Sequence, residues 1–213
     1  MNRQNHLTES QRKDLKRLLL KYPTLFDGKL RKYEGRLFHI NVDPDAEPVA
    51  KRAYPVPRKQ WEVFKRELDH LVELGVLSPT GASEWQLPSF IIPKANGTVR
   101  WISDLRELNK VIKRKVYPLP IIKDVLNKRK GYKFFSKLDL SMQYYHFELD
   151  DESKELCTIV TPFGKYQYNR LPMGFGCSPD WGQEVMEKVL MNIHEVECYI
   201  DDIGCFTDSG SAT

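Results

Sequence analysis

Two short stretches decide the reading: Phe134-Phe135-Ser136-Lys137-Leu138-Asp139-Leu140 and Cys198-Tyr199-Ile200-Asp201-Asp202-Ile203. In the first, a strand that is apolar except for its exposed end closes on one aspartate between two leucines. In the second, two adjacent aspartates interrupt an apolar strand pair at its turn. An aspartate in such a run weakens a strand and is costly to bury without a partner. Three carboxylates gathered at strand ends repel one another unless a cation sits among them. Mg2+ favours oxygen ligands and commonly bridges to substrate phosphates. Two such ions can act together in an in-line displacement at phosphorus. Taken singly, the Asp201-Asp202 pair reads as an acidic turn and Asp139 as an ordinary strand residue. The chemistry depends on the surrounding segments.

Outward from these stretches, residues 133–140, 144–149, 156–161 and 165–170 read as strands, the last two joined by Thr161-Pro162-Phe163-Gly164. Ser178 reads as the N-cap of a long helix, with Pro179 at its first position and Asp180 complementing the dipole. Trp181, Val185, Met186, Val189 and Ile193 form its expected buried side. Val196–Ile200 and Ile203–Phe206 close a hairpin over the two carboxylates. Upstream, Leu87–Ile92 and Thr98–Ser103 flank Ala95-Asn96-Gly97, a strong hairpin signal. Trp61, Phe64, Leu68, Leu71 and Val72 recur at helical spacing, and Gly75 fits just past the end. A short helix carrying Ile121, Ile122, Val125 and Leu126 follows Tyr117-Pro118-Leu119-Pro120. Residues 23–57, rich in proline, glycine and charge, read as an extended connector. A first helix spans about Thr8 to Leu20, with a Thr8–Gln11 capping box, Leu7 as staple, and Leu15, Leu18 and Leu19 as its stripe. The order is that of an α+β fold.

Composition narrows the class. The 213 residues, 41% hydrophobic, suit one large domain or two small ones, and no run of 18 uncharged apolar residues offers a membrane span. Met1–His6 has no apolar leader core, so an intracellular protein is expected. Cys157, Cys177, Cys198 and Cys205 form no CxxC pair and read as reduced, space-filling thiols. Residues 94–133 hold twelve Lys or Arg against Asp104, Glu107 and Asp124, a local charge of +9 inside a chain of +4. Such a segment is either a solvated face or the electrostatic footprint of a polyphosphate partner. There is no GxxxxGK[ST] loop, which disfavours a small-molecule phosphotransferase.

With these residues in view, the sequence resembles the reverse transcriptases of gypsy-type LTR retrotransposons. Tyr199-Ile200-Asp201-Asp202 is similar to their YxDD box, and Leu138-Asp139-Leu140 to their first palm aspartate motif. Leu171-Pro172-Met173-Gly174-Phe175 with Cys177-Ser178-Pro179 resembles the LPxG…SP motif. Residues 100–109 resemble the fingers motif R-x-x-x-D-x-R-x-L-N. Thr161-Pro162-Phe163-Gly164-Lys165-Tyr166, Tyr117-Pro118-Leu119-Pro120, Leu25-Phe26-Asp27-Gly28 and Tyr54-Pro55-Val56-Pro57 resemble further segments of that group. Each motif is weak alone; the ordered set, spanning nearly the whole chain, is specific.

The resemblance implies right-hand polymerase fingers and palm, with an antiparallel palm sheet packed on helices and no thumb. It implies an N-terminal extension and connector over 1–50, fingers over 51–113 and 147–175, and palm over 114–146 and 176–213. Asp139, Asp201 and Asp202 would bind two Mg2+ ions, or Mn2+ in their place, helped by the Leu140 carbonyl. Lys94, Arg100, Tyr144 and Met173 would hold the dNTP. Tyr144 would act as a steric gate against a 2′-hydroxyl. Asp104, Arg106 and Tyr199 would meet an RNA or DNA template and its primer. The segment after Asp139 departs from the pattern: Ser141-Met142-Gln143-Tyr144-Tyr145-His146 lacks the glycine often found before the aromatic, and Phe175-Gly176-Cys177 also varies. The family continues past this point into further palm strands, thumb, connection and RNase H. The end at Thr213, after a small polar tail, therefore reads as a fragment from which weak or no polymerisation is expected. A cytoplasmic setting, including virus-like particles, is implied. A non-catalytic nucleic-acid-binding remnant is the competing reading.

Overall fold

The computed structural model describes residues 6–208. The leader reading of the first five residues and the polar tail Ser209–Thr213 lie outside the described residues. The chain forms two compact units divided after Arg31. In the first, α1 (Glu9–Lys21) carries the expected capping box: Gln11 N–H donates to Thr8 Oγ1, and Thr8 N–H to Gln11 Oε1. Its leucine stripe is not buried, and Leu18 is 42% exposed. So short a segment has too little chain to cover a helix face by itself.

The second unit is built on two sheets. The larger takes β1 (Leu77–Pro79), β2 (Leu87–Pro93), β3 (Val99–Ser103), β5 (Thr158–Thr161) and β6 (Gly164–Tyr168) in the order β1-β6-β5-β2-β3. Only β2 and β5 run parallel. The hairpin turn is at Asn96-Gly97 as expected: Gly97 has φ +81°, and Asn96 Oδ1 accepts from Thr98 N–H. Across this sheet lies α2 (Arg58–Glu73), which buries Phe64, Leu68 and Leu71. Phe64 meets Trp101 at 5.1 Å between rings. Burying each such side chain stabilises the fold by about 1.5–3 kcal/mol. The core also holds a polar knot in which Ser103 Oγ bonds Ser89 Oγ at 2.7 Å and the Tyr168 hydroxyl at 2.8 Å.

The smaller sheet takes β4 (Phe134–Asp139), β7 (Val196–Tyr199) and β8 (Asp202–Thr207) in the antiparallel order β4-β8-β7. Behind it lies α6 (Ser178–Leu190). The short helices α3 (Arg106–Val111), α4 (Ile122–Lys128) and α5 (Asp151–Leu156) complete the unit. The α+β class stands.

Several local readings change. Residues 144–149 are not a strand: a 3-10 turn covers Gln143–His146, entered through Met142 at φ +54°. Burial still alternates at Gln143, Tyr145, Phe147 and Leu149, which is the period-two signal the sequence carried. The helix α5 was not anticipated, although Asp150 caps it by accepting from Ser153 N–H at 2.9 Å. The N-cap of α6 is Cys177 rather than Ser178, whose hydroxyl donates to the Pro172 carbonyl. The buried side of α6 is Ser178, Asp180, Gly182, Gln183 and Val185, while Val189 and Ile193 are exposed. Its first turns meet the backbone of β7 and the 3-10 turn, where polar partners are needed. β4 is exposed along its whole length, with Phe135 at 58%. From Lys32 the connector is a pinned strap. Phe38 N–H donates to the Glu148 carbonyl and Ile40 N–H to Ser153 Oγ. All four cysteines are free thiols.

Candidate active site

The register of the small sheet brings distant residues together. Asp139, the last residue of β4, stands directly opposite Asp202, the first residue of β8, and Tyr199 stands opposite Asp202 on the other side. Directly paired residues in an antiparallel sheet share a face, about 4.5–5.5 Å apart. Asp201 occupies the turn between β7 and β8, and its carbonyl accepts from Leu140 N–H at 2.9 Å. This bond ties the end of β4 to the turn. Asp201's carboxyl is raised above the ordinary carboxylate range, first by desolvation and then by the charges of Asp139 and Asp202. The three acids predicted from sequence therefore meet at one sheet end.

Lys137 was not anticipated. It lies two residues before Asp139 on the same face, and its ammonium is 2.9 Å from Asp202 Oδ2. The cluster thus already draws a cation to itself. Three carboxylates with a neighbouring backbone carbonyl are the oxygen donors a hard divalent ion prefers, so the donor set fits magnesium. Among the described residues no three His, Cys, Asp or Glu side chains are closed into a ligand shell.

Two buried glutamines hold the turn. Ile200 N–H donates to Gln183 Oε1 at 2.9 Å, and Gln143 Nε2 donates to the Ile200 carbonyl at 3.2 Å. Gln183 Nε2 also donates to the Cys198 carbonyl and to Glu187. Gln183 carried no local signal, because the apolar spacing of α6 did not include its position. Tyr144 follows Gln143; burial first, then the charge of Asp201, pushes its phenol up to about 12.

The remaining predicted residues lie elsewhere. Lys94 and Arg100 are exposed on the β2–β3 hairpin. Met173 is half-buried in the loop before α6, and this loop is docked on the fingers motif. Asn109 Nδ2 donates to the Gly174 carbonyl, and Asn109 Oδ1 accepts from Gly176 N–H. Beside this junction opens a cavity of about 680 Å3, lined by Tyr54, Phe90, Asp104, Arg106, Asn109 and Gly174 among others. The carboxylate of Asp104 is buried and fully engaged by Arg106 and the Tyr54 hydroxyl, whereas Arg106 is exposed. Tyr199 lines a separate cavity of about 490 Å3 between the small sheet and α4. The basic segment is partly neutralised from afar, with Arg114 paired to Asp180 and Lys128 to Glu197.

Residues 92–213 match the family model described as reverse transcriptase (RNA-dependent DNA polymerase). The chain is 32% identical over 185 residues to the uncharacterized protein K02A2.6 of Caenorhabditis elegans, covering 85% of this chain and 14% of that protein. It is 28% identical over 172 residues to the transposon Tf2-3 polyprotein of Schizosaccharomyces pombe, covering 80% and 13%. The crystal structure of native prototype foamy virus protease-reverse transcriptase superposes with a TM-score of 0.84 at 28% identity, over 95% of this chain and 28% of that one. The chain therefore spans roughly a seventh of the length of these curated relatives.

Proposed function

The chain belongs to the reverse transcriptase (RNA-dependent DNA polymerase) family, and on that premise we propose that it forms the fingers and palm of a gypsy-type LTR-retrotransposon polymerase, transferring the nucleoside monophosphate of a dNTP to a primer 3′-hydroxyl with release of pyrophosphate, opposite an RNA or DNA template. The fingers are residues 51–113 and 147–175 and the palm 114–146 and 176–213, after an N-terminal extension and connector over 1–50. The observation that carries this reading is the direct pairing of Asp139 with Asp202 beside Asp201.

Asp139, Asp201 and Asp202, with the Leu140 carbonyl, would hold the divalent ions. When bound, such ions supply charge stabilisation for an in-line phosphoryl transfer and lower the cost of ionising the attacking hydroxyl. Lys137 neutralises Asp202 until then. Tyr144, half-buried beside Asp201, lies under the sugar and excludes a 2′-hydroxyl by contact. Met173 lines the same pocket. Lys94 and Arg100, exposed on one hairpin, hold the triphosphate, and the arginine fork suits phosphate oxygens. Arg106, oriented by the buried Asp104, meets the template backbone, and Tyr199 borders the primer side.

A single-nucleotide extension assay at low salt, with a DNA primer on an RNA template and Mn2+ or Mg2+, tests the proposal. Slow addition that disappears in Asp201→Asn is expected. Template binding with no addition, unaltered by Asp201→Asn, would establish the binding-remnant reading instead.

A further inference from the structure

Ile200 is the β-branched residue between Tyr199 and Asp201, yet it sits in the left-handed region at φ +55°. Such a conformation persists only where the surroundings impose it. Here they act on both sides of one residue. Its N–H is taken by Gln183 Oε1 at 2.9 Å and its carbonyl by Gln143 Nε2 at 3.2 Å. Gln183 is fully buried and Gln143 is 4% exposed, so both side chains are fixed by packing. Gly182 makes room for the second of these. A Cβ there would fall 3.2 Å from Gln143 Oε1 and 3.2 Å from Tyr144 Cε1. Gln143 stands where glycine often precedes the aromatic in this family, so its side chain is an addition to the usual segment. It is entered through Met142, a second left-handed residue, and Tyr144 follows it directly.

We propose that Gln143 and Gln183 are positioning residues which together hold the Ile200 backbone in its left-handed form, and so place Asp201 and Asp202 against Asp139. Because Gln143 is bonded to the metal-bearing turn and adjoins Tyr144, the sugar contact and the carboxylates move as one hydrogen-bonded unit. Among the described residues, Gln143 Oε1 is buried without a hydrogen-bond partner, so the bond from its Nε2 to the Ile200 carbonyl is the one polar contact its amide makes. The inference rests on the assignment of the three aspartates made above.

The variants are Gln143→Met and Gln183→Met, which keep side-chain volume and remove the bonds, each alone and with Ile200→Gly, which removes the strain. Two readouts are taken on the whole chain: hydrogen exchange at the Ile200 amide, and Mn2+ affinity by calorimetry against Asp201→Asn. Gln183→Met should speed Ile200 exchange without moving core amides such as that of Leu68. Each single variant should weaken Mn2+ binding roughly three- to tenfold, as expected for one lost hydrogen bond, and Ile200→Gly should recover part of it. A general loss of packing would lower the melting temperature and expose core amides together. Mn2+ affinity within twofold of the parent in both variants, while Asp201→Asn abolishes binding, overturns the inference. If the parent shows no Mn2+ binding that depends on Asp201, the metal assignment itself falls, and Ile200 exchange decides the latch alone: no protection in the parent overturns it. Gln143→Met leaves the Gln183 bonds in place and keeps the test open should Gln183→Met fail to fold.

Discussion

Asp104 accepts from Arg106 Nε at 2.8 Å, from Arg106 Nη2 at 2.7 Å and from the Tyr54 hydroxyl at 2.7 Å. The Arg106 bonds, against the opposing effect of burial, hold its carboxyl well below the ordinary range. A depressed folded value means that the stabilisation is present above the unfolded value of about 4 and is lost as pH falls through the folded one. Asp104→Asn should therefore destabilise the chain by about 1.5–3 kcal/mol at pH 7, the range for hydrogen bonds to a charged group. The gap to the parent should narrow as pH drops below about 4 in thermal melts. A gap that widens on acidification would mean that the carboxylate is not held ionised. Tyr144 makes a different demand, because its proposed role is the bulk of the ring and not the hydroxyl. Tyr144→Phe should keep sugar selection, whereas Tyr144→Ala should relax discrimination against ribonucleotides by about 10–100-fold, the scale of one lost packing contact. Comparing dNTP with rNTP incorporation checks it, and equal relaxation in both variants would assign the effect to the hydroxyl.

The helix α6 shows what the sequence could and could not reveal about an element. Its existence and approximate start were legible, because proline at the second position and a run of helical spacing leave few alternatives. Its buried face was read only in part: Val185 is buried as expected, and Trp181 and Met186 are half-buried. Apolar spacing pointed to Val189 and Ile193, but the side that meets β7 and the 3-10 turn carries Gly182 and Gln183. No local pattern announces that a helix must supply an acceptor to a strained turn seventeen residues away. The three aspartates were legible only as members of an ordered set of motifs, since each alone reads as an ordinary turn or strand residue; the sheet register then stands Asp139 opposite Asp202. Gly182→Ala tests the part of the α6 face that was missed. Alanine should improve helix propensity by about 1 kcal/mol. It also places a methyl 3.2 Å from both Gln143 and Tyr144, and Gln143 is held by the Ile200 carbonyl. Overpacking of a fixed neighbour costs about 1–3 kcal/mol, so a net loss of about 1 kcal/mol is expected in urea denaturation, whereas an open site would give a gain.

At the scale of the molecule, the +9 of residues 94–133 overstates what a polyanion would meet. Arg106, Lys110, Arg114 and Lys128 are paired with Asp104, Glu107, Asp180 and Glu197. Two of those acids come from α6 and β7, which the sequence places more than sixty residues away, so counting charges along the chain could not discount them. Lys94 and Arg100 have no such partner among the described residues and share one exposed hairpin. Phosphate contacts weaken with salt in proportion to their number, with a slope of about −0.9 per contact on duplex. Removing an unpaired base that touches phosphate should lower the slope by about 1 and weaken binding on every sequence alike. Removing a base that is already neutralised should change the slope much less, because few counterions are released there. Lys94→Ala and Arg100→Ala, compared with Lys110→Ala and Lys128→Ala, separate the two classes by fluorescence anisotropy on primed template between about 50 and 200 mM salt. Equal slopes for all four variants would mean that the ion pairs open on binding. The footprint would then be the whole basic segment rather than the hairpin.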